Sequence, residues 1–99
     1  MTEPTIDIEH EETINGGAYR ARLPGVDRPA ELTWVARGND VRVANHTFTP
    51  PEMRGKGIAA KLVDALVADA RAQGFRIDPA CPYVADKFAE NPEWLPLKA

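Results

Sequence analysis

The four residues Arg54-Gly55-Lys56-Gly57 stand where an alternating segment ends and a helical pattern begins, and their types suit the gripping of an anion. The first N–H groups of a helix lack intrahelical partners and lie at the positive end of its dipole. Two glycines let the backbone turn tightly and approach a ligand closely, which together with free amides makes a phosphate nest. The dipole contributes only about 0.3–1 kcal/mol, up to ~2 when partly buried, so several amide bonds to the anion must supply the rest. Arg54 and Lys56 add positive charge at the same place. A plain glycine-rich loop is the alternative. The segment is not a Gly-x-x-x-x-Gly-Lys-Ser/Thr loop. It is not a Gly-x-Gly-x-x-Gly fingerprint either, because Ala60 occupies the third glycine's position.

Two further side chains have reactive types. Cys81 is the single cysteine, and Pro82 follows it; proline suits the first position of a helix. A thiol at a helix N-terminus loses its proton more readily and becomes a nucleophile. Asp78 and Asp86 are close in sequence and would oppose that shift. The stronger reading from the residues alone is that a free cysteine is just a small buried hydrophobe. His46 lies in an alternating segment, and histidine changes charge near neutral pH, as a general base requires. Strict alternation sets His46 with Ala44 and Phe48, unless a bulge turns it. A histidine bonded within a sheet is the other reading. His10 reads as a surface residue, Glu9, Glu11 and Glu12 as a solvated edge, and Trp34 and Trp94 as packing residues. His46, Cys81 and His10 show no metal-ligand spacing.

These groups need elements to hold them. Thr5 to Glu9, Ala18 to Leu23, Ala30 to Arg37 and Val41 to Thr49 alternate and predict four strands, with turns at Asn15-Gly16-Gly17, Pro24-Gly25 and Gly38-Asn39-Asp40. Short turns imply an antiparallel meander. The period then changes to 3.6. Ile58, Ala59, Leu62, Val63, Leu66, Val67 and Ala70 form an apolar stripe, predicting a helix from about Gly57 to Gln73 that stops at Gly74. Phe75 to Asp78 reads as a fifth strand and Tyr83 to Glu90 as a second helix. Strand, helix and strand make a right-handed β-α-β crossover with a parallel step. The fold class is α+β: a mixed, mostly antiparallel sheet of about five strands with two helices.

Composition bounds the rest. Ninety-nine residues fit one domain spanning 1–99. A net charge of −3 argues against general nucleic-acid binding. One cysteine requires no oxidising compartment. No run approaches a membrane span, and the acidic start does not resemble a secretory signal. The expectation is a cytoplasmic protein, a monomer or weak dimer, without membrane or nucleic-acid partners.

Arg54, Gly57 and Ala59 match the Gln/Arg-x-x-Gly-x-Gly/Ala signature of GNAT-type N-acetyltransferases, which the chain resembles. Asn45-His46-Thr47-Phe48 through Ala59, with Ala80-Cys81-Pro82-Tyr83-Val84, is similar to the small single-domain YjdJ-type branch. The resemblance implies acetyl-CoA as cofactor, its pyrophosphate held at Arg54, Gly55, Lys56, Gly57, Ile58 and Ala59. It implies that backbone groups around Phe48 and Thr49 meet the pantetheine arm, where strands four and five splay apart. It also implies acetyl transfer to an unidentified amine, small molecule or protein, with Cys81 as an acyl-accepting nucleophile or His46 assisting. Tyr83 stands in the region where a tyrosine protonates a leaving thiolate in many such enzymes, but a packing role is the better reading of it. Relatives carry one or two helices after the first strand; this chain shows no helical period there, so the acceptor side is expected to be open. The alternative is a non-catalytic module that binds CoA or another partner.

Overall fold

The computed structural model describes residues 7–99. Its strands are β1 (Ile8–Glu12), β2 (Gly16–Ala21), β3 (Ala30–Arg37), β4 (Val41–Phe48) and β5 (Arg76–Asp78), and its helices α1 (Ile58–Gln73) and α2 (Pro82–Glu90). Short 3₁₀ segments cover Pro51–Met53 and Pro92–Leu97. The sheet order is β1-β2-β3-β4-β5. Its first four strands pair antiparallel, and β4 pairs with β5 in parallel. The predicted meander, crossover and two helices are therefore present. Among the described residues no helix precedes Pro51. Neither α-helix is long and apolar enough to cross a membrane.

Two of the boundaries that differ from the sequence expectation have clear physical reasons. The alternation predicts a first strand over Thr5 to Glu9, whereas β1 runs on to Glu12; Thr5 and Ile6 lie outside the described residues. Its glutamates are tolerated because they are exposed and meet arginines: Glu9 faces Arg22 at 3.5 Å on the outer face, and Glu12, on the His10 face, meets Arg42 at 3.0 Å. Gly16 and Gly17 belong to β2 rather than to the turn. The turn lies just before them, where the amide and hydroxyl of Thr13 both donate to the Gly16 carbonyl, at 2.7 and 3.0 Å. A Cβ on Gly17 would stand 2.9 Å from the Trp34 ring. Glycine is needed here for close approach.

One contiguous core joins the sheet to the helices. Every residue of the predicted stripe on α1 is buried except Ala59, which is half-buried. It packs on a cluster that includes Tyr19, Ala21, Leu32, Trp34 and Ala44. α1 stops at Gly74, whose amide reaches the Ala70 carbonyl at 2.8 Å. In α2 the buried residues are Val84 and Phe88. Trp94 returns from the tail to meet Phe88 edge-on, with ring centroids 5.3 Å apart. The chain then runs beside β5, where Ala99 donates to the Ile77 carbonyl at 2.8 Å.

A polar cluster closes the other end of the sheet. The Arg42 guanidinium lies between the rings of Trp34 and Phe75, at 4.0 and 3.9 Å. Its Nη2 donates to Glu12 at 3.0 Å and to Gln73 at 3.3 Å, while its buried Nη1 has no partner among the described residues. Ring faces on both sides offset part of that loss. His10 stacks on Tyr19 at 4.0 Å, so this exposed residue is covered on one side. The Trp34 indole N–H donates to His10 Nε2 at 3.2 Å, and the Tyr19 hydroxyl donates to Asp69 at 2.6 Å. Burial, and then the bond to Asp69, raise the Tyr19 pKa.

The His10 pKa is lowered, because desolvation and Arg42 outweigh the attraction of Asp69 and Glu12. The folded state therefore binds this proton less well than the unfolded state. Stability from the neutral ring is fully present above the ordinary value of about 6.5 and is lost as pH falls below it. We expect the melting temperature to drop across that window, and less steeply in His10→Gln. Parallel melting curves for the two proteins would show that His10 is not the group responsible.

Candidate functional site

The site begins with an irregularity in β4. Trp34 pairs with Ala44, but the next residue back in β3, Thr33, pairs with His46, so Asn45 is an extra residue without a partner. A one-residue bulge reverses the facing of everything after it. Ala44 points to the core, and past the bulge Thr47 does so, opposite buried Leu32. His46 turns to the face opposite the helices and is exposed there. Strict alternation predicted His46 with Ala44 and Phe48; the bulge keeps it with Phe48 only. Thr33 Oγ1 lies 2.7 Å from Asn45 Oδ1 and pins the bulge.

At this point β4 also loses its other neighbour. The parallel pairing ends at Val43 and Asp78. One further bond, from the Cys81 amide to the Ala44 carbonyl at 2.8 Å, ties the chain there before α2 departs. Among the described residues β4 continues to Phe48 without a strand on that side.

Cys81 is the N-cap of α2 and is buried, at 7% exposure. Pro82 at the first helical position has no N–H to offer, so the nearest amides are those of Tyr83 and Val84. Thr47 Oγ1 stands 3.5 Å from the sulfur. Burial pushes the thiol pKa up, but bonds from the Thr47 side chain and from the Val84, Tyr83 and Thr47 backbones together outweigh it, and the thiol lies below its ordinary value. The two neighbouring aspartates do not act as their sequence positions suggest. Asp78 is engaged by Arg37 at 2.7 Å, and Asp86 is exposed.

The glycine turn follows β4. Pro50 is buried, and the Met53 and Arg54 amides close a 3₁₀ turn on the Pro50 and Pro51 carbonyls. Gly55 and Gly57 take left-handed conformations, with φ of 78° and 72°, which side-chain-bearing residues adopt at a cost. Gly57 is the N-cap of α1, and no side chain caps the helix. A Cβ at either glycine would meet nothing within 4 Å, so the space before the turn is open. Arg54, Gly55, Gly57, Ile58 and Ala59 line a cavity of about 190 Å³, with Thr49, Met53 and Tyr83 on its other walls. The Arg54 Nε donates to the Thr49 carbonyl at 3.1 Å, and Lys56 is exposed beside it.

The structure thus gathers most of the anticipated cofactor residues around one cavity. Phe48 lies just outside it, half-buried under the Arg28 guanidinium at 4.2 Å. Lys56, Cys81 and His46 are not among its walls, and no hydrogen bond joins His46 to Cys81. Sequence reasoning missed Thr47, Arg28 and Met53. Thr47 could be found only by knowing the bulge, and Arg28 reaches β4 from a loop whose path no local pattern fixes. A larger, more polar cavity of about 300 Å³ lies beside Arg42. It is away from the glycine turn and Cys81, and its Glu12, Arg42 and Gln73 already bond to one another. Among the described residues no three His, Cys, Asp or Glu side chains gather as a metal site requires.

A family model described as GCN5-related N-acetyl-transferase matches residues 18–97. That span runs from within β2 through the second 3₁₀ segment, and holds Gly55, Gly57 and Cys81.

The left-handed turn has a cost that is measurable without any ligand. Gly57→Ala should lower stability by about 1 kcal/mol in denaturant unfolding, through φ strain alone. An unchanged midpoint would show that the turn relaxes freely and is not held in this shape.

Proposed function

The chain belongs to the GCN5-related N-acetyltransferase family, and from that premise we propose that it binds acetyl-CoA at the glycine turn and passes the acetyl group to an amine, through Cys81. The observation that carries the reading is the pair of left-handed glycines before an uncapped 16-residue helix, lining an open cavity flanked by cations. A diphosphate fits such a cradle: free amides bond its oxygens, and Arg54 and Lys56 balance its charge. When bound, acetyl-CoA supplies an acyl group activated as a thioester.

The chain's own residues supply the rest. Thr49, Met53 and Tyr83 wall the cavity beside the turn. The unpaired edge of β4 from Asn45 to Phe48 offers backbone groups to an extended arm, as a sheet edge does. Cys81, with its proton already loosened, attacks the acyl carbon; its S–C bond forms as the donor's S–C bond breaks, and the departing thiolate takes up a proton. The amine then attacks, its C–N bond replaces the C–S bond at Cys81, and the thiol is restored. The proton that the amine loses returns to the Cys81 sulfur; His46 is exposed on the face of β4 opposite that sulfur and takes no part in this step.

A second reading, a module that binds CoA without catalysis, is favoured by the absence of any helix before Pro51 among the described residues, since nothing there closes over an acceptor. It predicts strong stabilisation by the ligand with no transfer to any amine of a panel.

Calorimetric titration with acetyl-CoA should show saturable binding by the parent and none by Gly57→Glu, which sets a carboxylate among the phosphate-binding amides. Equal binding by both proteins would remove the turn from the site. Cys81→Ala should bind acetyl-CoA as the parent does yet lose transfer by at least about tenfold. Full transfer by that variant would replace the covalent route with direct attack by the amine.

A further inference from the structure

A sulfur at the head of α2 is served by few donors. Pro82 contributes none, and the Tyr83 and Val84 amides are fixed by the helix. The remaining donors, the hydroxyl and the backbone of Thr47, come from another element. Thr47 reaches Cys81 only because Asn45 is an extra residue in β4, which turns the threonine toward the core. Without the bulge its hydroxyl would point to the opposite face, and His46 would take its place. Cys81 is tied to the residue just before the bulge by its own amide, at 2.8 Å from the Ala44 carbonyl. The bulge and the thiol are thus held in register.

We infer that Thr47 is a positioning residue for the Cys81 thiolate: its hydroxyl donates to the sulfur and aims it along the unpaired edge of β4. The inference rests on the reading of Cys81 as acyl acceptor. While the thiol keeps its proton, either group can donate to the other. Once the proton leaves, only the hydroxyl can, and a bond to a charged acceptor is roughly twice as strong as a neutral one. The contact therefore favours the reactive form. A β-branched residue suits this task, because its stiff χ1 angle keeps the hydroxyl in one direction. Among the described residues no charged side chain competes for the role. Asp78 is held by Arg37, Asp86 is exposed, and His46 faces away.

The test is a pH titration of the thiol, followed by its ultraviolet thiolate absorbance with the Cys81→Ala protein as blank. It needs no acyl donor, and the single cysteine makes the signal unambiguous. Thr47→Val should move the midpoint upward, leaving about tenfold less thiolate at a fixed pH below it. Thr47→Ser, which keeps the hydroxyl, should titrate close to the parent. If Thr47→Val fails to fold, Thr47→Ala takes its place in the comparison. Equal midpoints for parent and the hydroxyl-free variant would overturn the inference, and so would a Thr47→Ser midpoint displaced as far as theirs. Failure of the acyl-acceptor reading looks different, since Cys81→Ala would then keep full transfer whatever the titrations show.

Discussion

One unpaired residue in β4 governs the arrangement around the reactive groups. Asn45 lengthens its strand by a single position against β3, and every side chain beyond it changes face. The consequence is threefold. Thr47 meets Cys81, His46 faces solvent, and Thr49, just past the end of the strand, walls the cavity before α1. Bulges concentrate where a sheet must redirect a side chain, and they persist because the partner strand fixes them. Here the Thr33–Asn45 contact at 2.7 Å does so.

The sequence was legible where a property is local. The stripe on α1 reports its own period, and the glycines before it report a turn that other residues enter only with strain. Pro82 marks the start of α2, and so puts Cys81 at its cap. What could not be read depends on a partner in space. A bulge leaves no mark on alternation, since Val-Arg-Val-Ala-Asn-His-Thr-Phe serves equally as a regular strand. Gly16 and Gly17 look like a turn until β3 is seen against them, its backbone at Gly16 and the Trp34 ring at Gly17. The aspartates near Cys81 in sequence look like opposing charges until one is found paired with Arg37. Proximity along the chain was a poor guide to electrostatics for this reason.

The two ends of the sheet are stabilised by different means. Near the glycine turn the backbone is left with open donors, which suits an anion. At the Arg42 end, polar groups are spent on one another: a guanidinium between two rings, a histidine on a tyrosine, a carboxylate beneath the phenol. That network ties β1, β2, β3 and β4 to α1 without requiring a larger apolar core. In a domain this small, such cross-links supplement limited hydrophobic burial.

The run of the last residues beside β5 has a bearing on how the molecule coexists with its own copies. A sheet exposes unsatisfied N–H and C=O groups along its outermost strands, and these invite a foreign strand to dock and propagate. Lys98 and Ala99 cover that margin at Ile77. The opposite margin, β1, carries Glu9, Glu11 and Glu12, so that an identical strand arriving there would bring like charge against like. One border is shielded by chain and the other by repulsion, which leaves no inviting template for intermolecular β-association at either described border strand.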